Sequence, residues 1–286
     1  MSKALRWAGI GLGALVALLI LAAVVVFAWS EMILRQVYEA KAESLPAPSA
    51  AEMAEAPRLA RMLGCLSCHG EGLKGKQMFD KPGVARVFAP NLTEIAAKAS
   101  DQQLAAGIRQ GIGHDGRALF IMPSPMYSRL TDRETASLVA WIRTLPHAPG
   151  QTRGLSAGPL GRLGLVIGSL RPAPAKVAEY RTQEPIRLGP EHEPARHIAA
   201  TNCAECHGPA LMGGSAGPDE KAPDLSVAAG YDSAQFRTLM RTGQPPTGKD
   251  LGLMSEVAKN DFSHMTDAEI DGLHAYLAAR AKRLGG

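Results

Sequence analysis

All four cysteines of this chain fall in two copies of one short motif, Cys65-Leu66-Ser67-Cys68-His69 and Cys203-Ala204-Glu205-Cys206-His207. The C-x-x-C-H pattern reads as covalent haem attachment. Two thiols one helical turn apart can reach the two vinyl groups of a single haem, and the adjoining histidine can turn inward as an axial iron ligand. Two copies imply two covalently bound haem c groups, with Cys65, Cys68, Cys203 and Cys206 as attachment points and His69 and His207 as proximal ligands. A structural zinc shared by all four thiols is the plainer alternative. It is disfavoured because the pairs lie 138 residues apart and each carries a histidine that a four-thiolate site would leave idle. A redox disulfide within each pair would call for strand-helix alternation around it, and neither motif has that setting.

Residues Ala8 to Ala28 form an uncharged, strongly apolar run with Trp7 and Trp29 at its ends. About 20 such residues cross a bilayer, and tryptophans suit the headgroup level. The run is longer than the apolar stretch of an ordinary signal peptide, roughly 7 to 15 residues, so a retained anchor is preferred over a cleaved leader. Thiols destined for thioether formation belong outside the reducing cytosol. The expected placement is therefore the inner (cytoplasmic) membrane, crossed once, with everything beyond residue 30 on the periplasmic side.

Setting Lys3 and Arg6 aside leaves 29 basic against 27 acidic residues, a nearly neutral soluble part. No basic tract or aromatic-studded basic face points to nucleic acid. Aromatics make up only 5% of the chain, thin for a core unless a haem supplies apolar bulk in each domain. The expected division is an anchor over 1–30, a linker over 31–52, one haem domain over 53–147, a connector over 148–186 and a second haem domain over 187–286. Ser44 to Pro57 reads as a tether lifting the first domain off the membrane. Within the Pro/Gly/Arg-rich connector, Leu160 to Leu170 is apolar but too short and interrupted to span a bilayer, which suggests docking against a domain or partner.

The two domains repeat each other beyond the motifs. Ala89-Pro90-Asn91-Leu92-Thr93 matches Ala222-Pro223-Asp224-Leu225-Ser226, and an ungapped stretch pairs Arg109 with Arg241, Gly111 with Gly243 and Met122 with Met254. Further on, Tyr127 to Asp132 matches Phe262 to Asp267. Thr131 with Glu134 and Thr266 with Glu269 are capping boxes that open a closing helix in each copy. Behind them Leu138, Trp141 and Ile142, and likewise Leu273, Tyr276 and Leu277, recur at helical spacing.

The repeat also selects the sixth iron ligand. Of the methionines, Met122 and Met254 form the one plausible pair at equivalent positions, with Met126 as the fallback in the first domain. Met265 aligns with Leu130, just before a cap, and reads as core, while Met240 aligns with Ile108. His/Met ligation raises the potential relative to two nitrogen ligands and leaves no vacant position for a substrate. His114, in the Gly-rich segment before Met122, is the rival ligand. The carbonyls of Pro90 and Pro223 are candidates to accept the free ring N–H of His69 and His207. Arg109 and Arg241 are candidate partners of the haem propionates, with a merely solvated role as the alternative.

With these residues in place, the chain resembles a tandem of class I cytochrome c domains over roughly 53–147 and 187–286. The resemblance implies an all-α fold of two such domains after one N-terminal transmembrane helix. Ile121-Met122-Pro123 is similar to the family's ligand loop, whereas Met254 is followed by Ser255. More narrowly, the chain resembles membrane-bound cytochrome subunits of periplasmic alcohol, aldehyde and sugar-acid dehydrogenases, although many of those carry three haems. A looser likeness is to the anchored dihaem subunit of some terminal oxidases. The leading reading is an electron carrier with no chemistry of its own, linking a periplasmic donor such as a dehydrogenase to a respiratory-chain acceptor. The rival is a dihaem enzyme, a peroxidase or thiosulfate-oxidising cytochrome, with one open haem.

Overall fold

The computed structural model describes residues 3–150, 154–215, 217 and 220–285, and is mostly helical. Helix α1 (Lys3–Arg35) outruns the expected anchor by several residues. Its side chains from Leu5 to Met32 are largely exposed, and its most apolar 18 residues have a mean hydropathy of 3.0.

The chain after α1 is strapped to the first domain. Tyr38 N–H donates to Gly116 O (2.8 Å), Lys41 N–H to Gln110 Oε1 (2.9 Å) and Glu43 N–H to Gln102 Oε1 (2.7 Å). Helix α2 (Ala50–Met62) then begins at a full capping box of Ser49 and Glu52. The expected tether over Ser44–Pro57 is thus half strap and half helix. Its Ala, Glu and Met are good helix formers, and Ser49-x-x-Glu52 is a helix start.

Domain 1 continues with α3 (Cys65–His69), α4 (Leu92–Lys98), α5 (Asp101–Gln110), α6 (Ser124–Tyr127) and α7 (Asp132–Thr144). Between α3 and α4 an antiparallel hairpin, β1 (Lys76–Lys81) and β2 (Ala85–Ala89), pairs Lys76 with Ala89 and Lys81 with Ala85. The connector adds β3 (Leu155–Ala157) alongside β2, then α8 (Pro159–Val166) and α9 (Ala173–Tyr180). This sheet is an addition to the all-α expectation. Every residue of β1 is exposed, so the strand has no apolar alternation to be read.

Domain 2 repeats the plan with α10 (Glu193–Asn202), α11 (Ala204–His207), α12 (Ser233–Thr242), α13 (Leu253–Asn260) and α14 (Asp267–Gly285). Its counterpart of the hairpin is a short ladder of β4 (Gly214–Ser215) and β5 (Lys221–Ala222). Helices α5 and α12 both stop at a left-handed glycine, Gly111 (φ 69°) and Gly243 (φ 74°). A Cβ at Gly111 would sit 2.4 Å from Ala173 Cβ, and one at Gly243 would sit 2.2 Å from Ser255 O. Glycine is required at both for space as well as for φ.

The domains share one core. Leu59, Leu63, Met126 and Leu130 of domain 1 join Tyr180 of the connector and Ile198, Phe262, Met265 and Leu273 of domain 2 in a single buried cluster. The joint uses the same two surfaces twice, in the manner of a pseudo-twofold pair. Arg58 of α2 grips Glu269 of α14 at 2.7 and 2.8 Å and also donates to His264 O (2.8 Å). In the reciprocal place, His197 Nε2 of α10 lies 2.9 Å from both carboxylate oxygens of Glu134 in α7.

Candidate haem-binding sites

Each attachment motif is a single helical turn positioned by the helix before it. Gly64, with φ 75°, turns the chain from α2 into α3, which sets Cys65 and Cys68 one turn apart. All four thiols are free. Burial pushes the Cys65 and Cys203 thiols up to about 12, the opposite of the lowered pKa that activates a redox cysteine.

The histidine closing each motif is buried, and the two are oriented identically. His69 Nδ1 lies 2.8 Å from Pro90 O, and His207 Nδ1 lies 2.7 Å from Pro223 O. Burial lowers the pKa of both rings, against the raising effect of those carbonyls. A neutral imidazole that donates from Nδ1 carries its lone pair on Nε2, the arrangement an iron ligand needs. Four residues beyond each histidine, Leu73 (φ 56°) and Leu211 (φ 62°) adopt left-handed backbone with fully buried side chains. Such a conformation costs an ordinary residue roughly 1–2 kcal/mol, and its presence at equivalent positions marks a loop the fold holds fixed.

In domain 1, Cys65, His69, Leu73, Met122 and Trp141 line one apolar pocket together with Leu92, Ile108, Tyr127, Leu130 and Leu138. Thiol, imidazole and thioether facing one apolar space are the donor set of a covalently held haem, so the residues fit that group. When bound, it supplies reversible one-electron transfer; the protein supplies attachment, ligands and exclusion of water. In domain 2, Cys203 and Met254 pack together with Tyr231 and Val257 against the shared core.

The two methionines are presented differently. Pro123 caps α6, leaving Met122 just before the helix, whereas α13 starts at Leu253 and takes Met254 into its first turn. Ser124 ties back into α5 (Oγ to Gly107 O, 2.8 Å), whereas Ser255 ties to the glycine that ends α12 (Oγ to Gly243 O, 2.6 Å). Met254 is therefore one residue closer to its serine than Met122 is. Pro123 disfavours helical backbone at Met122, whereas Ser255 puts no such restriction on Met254, which sits inside α13.

A cytochrome c family profile matches residues 53–146 and 193–280, the two regions that carry these sites. The chain belongs to the cytochrome c family. With two such domains it is a dihaem c-type cytochrome, an electron-transfer protein whose haems are covalently bound. It is similar to the fructose dehydrogenase cytochrome subunit of Gluconobacter japonicus, 25% identical over 266 aligned residues. That match covers 81% of this cytochrome and 54% of the subunit, so the chain spans about half the length of the relative.

The other candidate residues have partners or positions of their own. Arg109 pairs with Asp132 (2.7 Å) and Glu43 (3.0 Å), and Arg241 with Asp267 (2.7 Å). Both guanidiniums thus bind a first-turn aspartate of the closing helix rather than standing free in solvent. A carboxylate at a helix N-terminus is a strong nearby acceptor, and it is repeated in the two copies. His114 is exposed and stands outside the pocket lining. Met126, Met240 and Met265 are all buried in the shared core.

The side chain after each proline has a role that sequence reasoning missed. Asn91 and Asp224 cap the helical turns beginning at Leu92 and Leu225, accepting from Thr93 N–H (3.0 Å) and Ser226 N–H (2.6 Å). Their type and place are a recognisable N-cap signal. Also missed was Asp261, a buried carboxyl of domain 2 that accepts a hydrogen bond from Ser67 inside the first attachment motif.

Proposed function

We propose that this cytochrome is a membrane-anchored relay that passes single electrons from a periplasmic dehydrogenase or similar donor to a respiratory-chain acceptor. Cys65 and Cys68 hold one haem between His69 and Met122; Cys203 and Cys206 hold the other between His207 and Met254. The observation that carries this reading is the placement of Met122 in the same apolar pocket as Cys65 and His69. A pocket offering both axial ligands is built to move electrons, whereas a haem enzyme needs an open or displaceable position.

Transfer between the haems is supported by the position of Cys65 and Cys203, both packed against the one core that crosses the domain joint. A retained anchor in the inner membrane is supported at the end of α1. There Ser30 is fully buried and Glu31 is ion-paired to Arg162 (2.7 Å), so the helix is built into the folded domain. A dehydrogenase as donor is supported by the name of the Gluconobacter relative.

The test is an optical spectrum of the purified, dithionite-reduced holoprotein before and after CO, with haem content measured on the same sample. Two haems per chain with no CO-induced shift are expected. Met122→Ala should open one haem to CO and leave the other untouched. CO binding by the unaltered protein would overturn the relay reading in favour of an enzyme.

A further inference from the structure

Helix α8 in the connector has an apolar face left exposed by the described residues. Leu160, Leu163 and Ile167 are 61%, 41% and 65% exposed. Their spacing puts them on one side of the helix, while Gly161 and Leu165 on the other side are buried. The buried side is seated closely: a Cβ on Gly161 would lie 2.2 Å from Val84 O, and Leu160 N–H donates to Gly83 O (2.9 Å) in the turn between β1 and β2.

What fixes the occupant of the free face is the way α8 is fastened to α1. Arg162 donates to Ser30 Oγ (2.8 Å) and Glu31 Oε1 (2.7 Å), and its guanidinium lies 4.2 Å from the centre of the Phe27 ring. Phe27 is next to the last residue of the apolar run that ends at Ala28, and Trp29 comes directly after that run. The clamp therefore holds α8 at the depth where a spanning helix leaves the hydrocarbon, the level that suits tryptophan and amphipathic surface helices.

From this geometry we infer that α8 is a second membrane contact, lying in the bilayer interface beside α1 with Leu160, Leu163 and Ile167 directed into lipid. The inference rests on the reading of α1 as a membrane anchor. Its consequence is orientation. Through Gly83 and Val84, α8 grips the hairpin, whose Lys76 Nζ donates to Ser67 O (3.1 Å) in the first attachment motif. Two attachments in place of one limit the swing of the haem domains about α1, so the first haem site faces partners at a set height and tilt.

The experiment is photolabelling of the full-length holoprotein in nanodiscs of phosphatidylcholine and phosphatidylglycerol, doped with a phosphatidylcholine carrying a diazirine on its acyl chain. Adducts are mapped by peptide mass spectrometry. Adducts on both α1 and residues 159–167 are expected. The triple variant Leu160→Ser, Leu163→Ser, Ile167→Ser should lose the second set while keeping the first and its full haem content. Labelling of α1 with none on 159–167 would overturn the inference and leave the anchor standing. Labelling of neither would overturn the anchor and the inference together.

Discussion

In domain 1 the segment after the histidine-facing proline is held by a neutral side chain, Asn91, while in domain 2 the equivalent Asp224 is held by a buried arginine. Asn91, fully buried, donates to Ala148 O (2.7 Å) at the start of the connector. Arg280, also fully buried, reaches from α14 to Asp224 (2.8 Å), Leu211 O (3.0 Å) and Met212 Sδ (3.0 Å). Both clamps brace the loop that positions the proximal histidine. The neutral one ties its domain to the connector, whereas the ionic one is internal to its domain. The repeat has kept the polar cap and changed what answers it, so the two haem sites differ in how they fail.

The largest expected effect is on the ionic clamp. Arg280→Met should destabilise domain 2 by about 3–5 kcal/mol, because it strands a partly buried carboxylate, the buried Leu211 carbonyl and the partly buried Ala210 carbonyl. Hydrogen exchange of α14 amides in the holoprotein reads this locally. Adding Asp224→Asn, which imitates domain 1, should recover part of the loss; no recovery would mean that the carbonyl contacts dominate. Acid should separate the two loops as well. Burial opposes ionisation of Asp224, but the Arg280 guanidinium and the Ser226 amide outweigh it and hold the carboxyl down at about 2. A depressed folded-state pKa stabilises fully above the ordinary aspartate value and fades as pH falls towards about 2. The loop at Asp224 should therefore loosen in that acid window, while Asn91 gives the equivalent loop of domain 1 no such dependence.

The joint is unequal too, since domain 2 presents Asp261 to the first attachment motif where the repeat puts Met126 in domain 1. Burial raises the Asp261 carboxyl to about 6, against the lowering effects of Ser67 and Lys76. Between the ordinary aspartate value and about 6 the folded state holds a proton that the unfolded chain has released, so stability falls as pH rises through that window. Asp261→Asn should flatten the slope and stabilise the protein at about pH 7 by roughly 2 kcal/mol, after allowing for residual solvent screening. Denaturation midpoints on either side of the window decide it; parallel curves for variant and parent would remove Asp261 from the account. A smaller loss, roughly 1–2 kcal/mol, is expected for Asn91→Ala, which leaves one carbonyl and one amide to find water. It should appear in domain 1 exchange alone.

How far the sequence could be read depends on how far apart the partners are. The attachment motifs and caps are written within a few residues, and the repeat doubles each signal, so the helices that place Cys65, His69, Cys203 and His207 were legible. The Pro90 and Pro223 contacts were legible because one geometry had to serve two copies. Arg280 and Asp224 are separated by 56 residues, and Ser67 and Asp261 by 194. Neither pair has a counterpart in the other domain, so neither the repeat nor local chemistry could announce it. For Arg109 and Arg241 the sequence leaves several acceptors open, and only the fold shows that the first-turn aspartates Asp132 and Asp267 lie within reach.

The smallest expected effects test whether the two closing helices, alike in sequence, are alike in energy. Thr131 accepts from Glu134 N–H and Thr266 from Glu269 N–H, both at 3.2 Å, with each glutamate returning to its threonine N–H at 2.8 and 2.6 Å. Each glutamate also reaches across the joint, Glu134 to His197 and Glu269 to Arg58. Thr131→Ala and Thr266→Ala should each cost about 1 kcal/mol, the usual loss of a cap, with fraying confined to the first turn of α7 or α14. Equal losses would make the caps local devices that the joint merely borrows. A clearly larger loss for Thr266→Ala would mean that the cap aims Glu269 at Arg58, since that bidentate, charge-assisted pair depends most on the carboxylate being held in place.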